Sequence, residues 1–208
     1  MNLKGLTLAG MTAAGGGTAA TYGILKSQSS TKSVAQRLGD EGFVLLNSSS
    51  EKTTLGKVLE VYKTLPENNG KTPSTDDLLT MCGSIVKKDY DSDDDYKKSR
   101  RFCVIPKSVS ASSKLAGKTI LKNGENNEED KGTWESLKTK YTVASNAPKK
   151  IKGLDTLTGT SGEEWKSLRN QCKSLLEKDT TDADYDDLVE KSLIWCVKDA
   201  EGLKLADQ

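Results

Sequence analysis

Trp165-Lys166-Ser167-Leu168-Arg169-Asn170-Gln171-Cys172-Lys173-Ser174-Leu175-Leu176 sets apolar side chains at 165, 168, 172, 175 and 176. Intervals of three and four fall on one face of an α-helix, and here a cysteine sits inside the stripe. Leu78-Leu79-Thr80-Met81-Cys82-Gly83-Ser84-Ile85-Val86 repeats the arrangement. In both, one apolar residue stands four before the cysteine and two stand three and four after it. A helix-start signal precedes each. Ser161-x-x-Glu164 matches the full capping-box pattern, and Ser74-x-x-Asp77 resembles it.

The likeness extends outward in both directions. Upstream, Leu55, Val58 and Tyr62 keep the offsets of Trp134, Leu137 and Tyr141. Offsets of three and seven share a helical face. Downstream, an acidic run (Asp89 to Asp95, or Asp179 to Asp184) leads to a tyrosine and then to an aromatic-cysteine pair. Tyr96 precedes Cys103 by seven residues and Tyr185 precedes Cys196 by eleven. The difference is about one helical turn, so both lengths suit one packing scheme. The pattern predicts an all-α fold of two related three-helix modules, 53–104 and 133–208. Residues 105–132, rich in Ser, Lys, Asn and Glu, read as a linker. Trp134, Tyr141, Trp165, Tyr185 and Trp195 are the expected structural aromatics.

Cys82, Cys103, Cys172 and Cys196 allow three pairings. The duplication favours Cys82–Cys103 and Cys172–Cys196, each joining the second and third helices of its module. Four buried free thiols, packed as small hydrophobes, are the alternative. No Cys-x-x-Cys is present, which argues against zinc.

Composition narrows function. The chain has 208 residues, of which 34% are hydrophobic and 5% aromatic. So lean a core calls for staples. Lys plus Arg number 31 against 30 Asp plus Glu, with the signs interleaved, unlike a nucleic-acid binder. Histidine is absent, which removes the commonest general base and metal ligand. The acidic runs fail the EF-hand pattern, because Asp94 and Asp187 stand where its glycine belongs. No catalytic residue, metal site or cofactor is expected, and the chain does not read as an enzyme. An exported binding protein for an ion or small solute, using the acidic turns, is the alternative function.

Gly5 to Leu25 is uncharged, preceded by Lys4 and followed by Lys26. Its length matches a bilayer core, and the leading cations orient the remainder outward. Residues 1–25 therefore read as a transmembrane anchor helix, with a cleaved signal ending near Thr18-Ala19-Ala20 as the alternative. Gly15-x-Gly17-x-x-Ala20 fits the dinucleotide fingerprint only formally, because a polar stretch follows it. Residues 26–52 read as a polar stalk interrupted by the apolar knot Phe43-Val44-Leu45-Leu46.

Together, Met1-Asn2-Leu3-Lys4, the Gly/Ala/Thr-rich segment Gly5–Leu25, the Trp134…Tyr141 repeat and the Trp195-Cys196 element resemble one group. It is the multi-copy membrane-anchored and surface proteins of blood-cell-parasitising (haemotropic) mycoplasmas. Leu55 and Phe102 depart from its pattern, standing where Trp is usual. The resemblance implies a paralogous surface or secreted protein varied under immune pressure. It carries over no catalytic residue. The first functional expectation is display, in which loops meet host proteins or antibodies and paralogues vary most over 104–132 and 142–160.

Overall fold

The computed structural model describes residues 32–198, which belong to one compact unit. The expected anchor over 1–25 lies outside the described residues. Among those described, no helix is long and apolar enough to cross a membrane. The chain is mostly helical and carries two disulfides.

The helices are α1 (Val34–Asp40), α2 (Lys52–Lys63), α3 (Thr75–Ile85), α4 (Asp93–Phe102), α5 (Lys131–Thr142), α6 (Trp165–Glu177) and α7 (Tyr185–Trp195). Their starts follow local chemistry. Ser74 accepts from the Asp77 N–H while the Asp77 carboxylate accepts from the Ser74 N–H, a closed capping box. Ser92 caps α4, and Asp93, Asp94 and Asp95 fill its first turn, where the helix dipole favours carboxylates. The second expected capping box does not form. Gly162 turns with φ +87°, so the chain between Ser161 and Glu164 is not helical and α6 begins at Trp165. Glu164 instead accepts from the Gly162 N–H and from Lys138.

Helices α2, α3 and α4 pack around Leu55, Val58, Tyr62, Leu78, Ile85 and Phe102. Helices α5, α6 and α7 pack around Trp134, Leu137, Tyr141, Trp165, Leu168 and Trp195. A cystine lies in each core. Cys82 bonds Cys103, and Cys172 bonds Cys196. All four are at most 4% exposed. Each bridge ties the middle of one helix to the residue just past the end of the next. Edge-on ring pairs, Tyr62–Phe102 and Tyr141–Trp195, lie beside them.

Two expectations change. The stalk does not extend to residue 52. Ser33 and Gln36 form a capping box, and Val34 and Leu38 of α1 are fully buried against Tyr96 and Val104. Nor is 105–132 a free linker, because Val109, Leu115 and Leu121 are buried in the second core. Both segments act as straps and use the same bonds. The Val34 N–H donates to the Lys88 carbonyl at 2.9 Å, and the Val109 N–H to that of Lys178 at 2.8 Å. Further along, Leu46 and Leu121 donate to the carbonyls of Cys103 and Cys196, each at 2.9 Å. Backbone bonds of this kind are invisible to side-chain periodicity, and the apolar residues of the straps are too widely scattered to show a helical stripe. The strap bonds also set the ends of each cystine-bearing helix pair, so strap and bridge hold the same residues.

Replacing Cys172 and Cys196 together by alanine should lower the unfolding free energy by roughly 3 kcal/mol, the loop-closure contribution of a ring this long. Urea denaturation of the full chain without reductant measures it. An unchanged midpoint would remove the bridge from among the main supports.

Candidate functional site

A cleft of about 510 Å³ opens beside the second core. One wall is the C-terminal half of α5, contributing Lys138, Thr139, Tyr141 and Thr142; the other is Lys150, Asp155, Thr156 and Leu157, with Glu164 at one end. The second wall belongs to the 142–160 loop.

The loop is held by the polar tips of core aromatics. Tyr141 is wholly buried, yet its hydroxyl donates to the Leu154 carbonyl at 2.6 Å and accepts from the Ile151 N–H at 3.0 Å. The Trp195 indole N–H donates to the Lys149 carbonyl at 2.7 Å, and Lys191 Nζ to that of Pro148 at 3.2 Å. Ile151 is buried beneath the loop. Buried Asn146 donates back to the Lys140 carbonyl, closing the end of α5 as Asn68 does for α2 through Tyr62. Thus the loop's backbone is tied at Pro148, Lys149, Ile151 and Leu154, while Lys150, Asp155 and Thr156 line the cleft. Residues ordered before binding lose little freedom when a partner arrives, which favours recognition.

The cleft carries charge of both signs. Lys138 pairs with Glu164 at 3.3 Å, and Lys150 donates to the Asp155 carbonyl at 2.7 Å while lying over the Tyr141 ring. Hydrogen bonds at Glu164, chiefly from the backbone and then from Lys138, hold its carboxyl below the usual range. Burial pushes the Tyr141 hydroxyl up from 10.0 to about 12, against the pull of the Ile151 N–H. The arrangement suits polar recognition over a small apolar floor at Leu157. No pair of groups in it is set as nucleophile and base.

The expected structural aromatics converge. Trp134, Tyr141, Trp165, Tyr185 and Trp195 join Cys172 and Cys196 in one core. Trp134 also reaches the strap, donating to the Lys122 carbonyl at 3.1 Å, while Asp130 accepts from the Lys122 N–H at 2.7 Å. Cys82 and Cys103 lie in the other core. The acidic turns are occupied by local partners. Asp93 accepts from the Tyr90 hydroxyl and Asp95 from Lys88. Asp184 pairs with Lys152 at 2.7 Å, and Asp179 with Lys57. Burial would raise the Asp179 carboxyl, but bonds from Lys57 and Thr181 outweigh it and hold it low. Among the described residues no three Cys, Asp or Glu side chains gather where they could hold a metal ion.

Periodicity did not single out Lys138, Lys150, Asp155 or Asn146, which lie between or behind the stripes. Buried Arg169 was also missed. It stacks over Trp165 and donates to the Asn127 carbonyl and Asn170. No family model, no curated protein and no solved structure matches the chain.

Tyr141→Phe should lower stability by about 1–3 kcal/mol, because the Ile151 N–H and Leu154 carbonyl lose their buried partner. Amide exchange at 151–155 should quicken. The pH dependence follows from the raised hydroxyl: its contribution is intact below pH 10.0 and disappears as pH rises through about 12. Wild-type stability should fall across that window, and the variant's should fall less, as read by denaturant titration at each pH.

Proposed function

We propose that this chain is an exported, membrane-anchored surface protein that displays the 142–160 loop and its cleft to host molecules or antibodies. In this reading Gly5–Leu25 is the anchor, and two related cystine-stapled modules form the part held outside the cell. The chain is not an enzyme; the scaffold's work is to hold polar loops in fixed shape, a common division between rigid elements and functional loops. The resemblance to haemotropic mycoplasma surface proteins belongs to the same proposal, as does the view that paralogues differ mainly in these loops.

The observation that carries the reading is the pair of buried cystines. Structural disulfides persist where thiols oxidise, beyond the cytosol. Support for related modules comes from the straps, whose backbone bonds recur at Val34 and Val109 and again at Leu46 and Leu121. Support for display comes from the cleft's second wall, where Tyr141 and Trp195 hold loop backbone rather than each other's polar atoms.

Intact source cells treated with a membrane-impermeant amine label should yield labelled protein in the membrane fraction. Protease added outside should degrade it without lysis. Protein that stays unlabelled, fractionates with cytosol and holds reduced thiols would overturn the proposal.

A further inference from the structure

A second, smaller cleft of about 250 Å³ shares no lining residue with the first. It runs along the join between α4 and the turn before α7, lined by Lys97, Lys98, Arg100 and Arg101 with Leu65, Glu67, Phe102, Asp182 and Ala183. Four cations converge there in five consecutive residues of one helix.

Packing alone does not require them. Counting back from the last cysteine of each core, the places of Lys97, Arg100 and Arg101 in α4 are held in α7 by Glu190, Leu193 and Ile194. The neighbouring Ser99 and Ser192 are both fully buried, so the two helices sit alike at this level. Lys98 has a matching cation in Lys191, so the basic character particular to α4 lies in Lys97, Arg100 and Arg101.

Part of that charge is already committed. Lys98 pairs with Glu67 at 2.7 Å, and Arg100 pairs with Asp186 across the join. Arg101 Nε donates to the Thr181 carbonyl at 2.9 Å. Asp182 accepts from the Asp184 N–H and stands 3.9 Å from Lys178. What is left over is cationic. Among the described residues Lys97 has no partner, and Arg101 has no carboxylate. Arg100 is 4% exposed, and its Nε is a buried donor with no acceptor. The Tyr96 and Tyr185 rings lie 5.7 and 5.0 Å from the Arg100 guanidinium carbon.

We propose that this cleft binds a sulfate or phosphate group, with Arg101 and Lys97 donating to its oxygens. Planar guanidinium forks match tetrahedral oxyanions, and a lysine adds a point charge. Leu65, Phe102 and Ala183 supply the apolar part of the cleft's lining. The group can arrive as a free ion or on a sulfated polysaccharide, since both present the same oxygens. The site is separate from the display cleft, and its occupancy does not depend on where the protein resides.

Calorimetric titration of the full chain at low salt tests it with three probes: inorganic sulfate, inorganic phosphate and a heparin oligosaccharide. Binding is expected for at least one of them. Lys97→Gln, an exposed position with no protein partner, should weaken it several-fold. Arg101→Gln should weaken it at least about tenfold, as loss of a charge-assisted bond implies. Lys118→Gln, exposed and outside the cleft lining, should bind as the wild type. Matching melting curves establish that the variants fold. Binding of the inorganic ions identifies a free-ion site, and binding of heparin alone identifies a polysaccharide-borne group, provided Lys97→Gln and Arg101→Gln reduce it. No heat with any probe at millimolar concentration would overturn the proposal. So would heparin binding that neither variant changes, since that is general charge attraction.

Discussion

Each half of this protein rests on one covalent tie, a cystine that pins the middle of a helix to the end of the next. Around each tie the apolar material is thin. The first core is built on Tyr62, Phe102 and a handful of aliphatic side chains; the second adds three tryptophans. Folded domains are stable by only about 5–15 kcal/mol in all. A bridge contributing about 3 kcal/mol is a large share of that margin. It is also placed where it matters: the Cys103 and Cys196 carbonyls each receive the strap that closes their core. Bridge, helix end and strap meet at one residue in both halves.

From that point the structure passes order outward. The Cys172–Cys196 tie fixes the end of α7, and with it Trp195. Trp195 packs edge-on against Tyr141 at 4.6 Å, and the two side chains together hold the backbone of 149–154. Burial of the rings supplies the energy, and their single polar atoms supply the direction. A loop fastened this way can carry varied side chains at Lys150, Asp155 and Thr156 without altering the core beneath. The join between the halves combines Phe43, packed against both, with polar contacts: Arg100 with Asp186, Lys57 with Asp179, and Arg101 on the Thr181 carbonyl. Charged joins of this kind fix orientation more than they add stability.

Much of this was legible in the residues. The helical stripes over 78–86 and 165–176 appear as α3 and α6, and the cysteine pairing follows the duplication. The five aromatics chosen as structural all enter one core. What was not legible has common causes. The straps at 33–46 and 107–121 attach mainly through backbone atoms, which leave no side-chain pattern. Val34 and Val109 are single apolar residues among polar neighbours, although Ser33-x-x-Gln36 was a usable capping signal. The Ser161 box failed because Gly162 adopts a conformation open to glycine and unfavourable to other residues. The cleft beside α5 depends on Lys150 and Asp155, whose backbone is placed by Tyr141 and Trp195. Arg100 is hidden for a different reason, since burial of a cation is a property of the join and not of its own helix.

Peptide mass mapping of the protein purified from its own cells, with thiols blocked at lysis and no reductant, bears on this account most directly. Proteolysis should release Cys82 joined to Cys103 and Cys172 joined to Cys196, with no blocked thiol at any of the four. Crossed pairs, or cysteines carrying the blocking group, would contradict it.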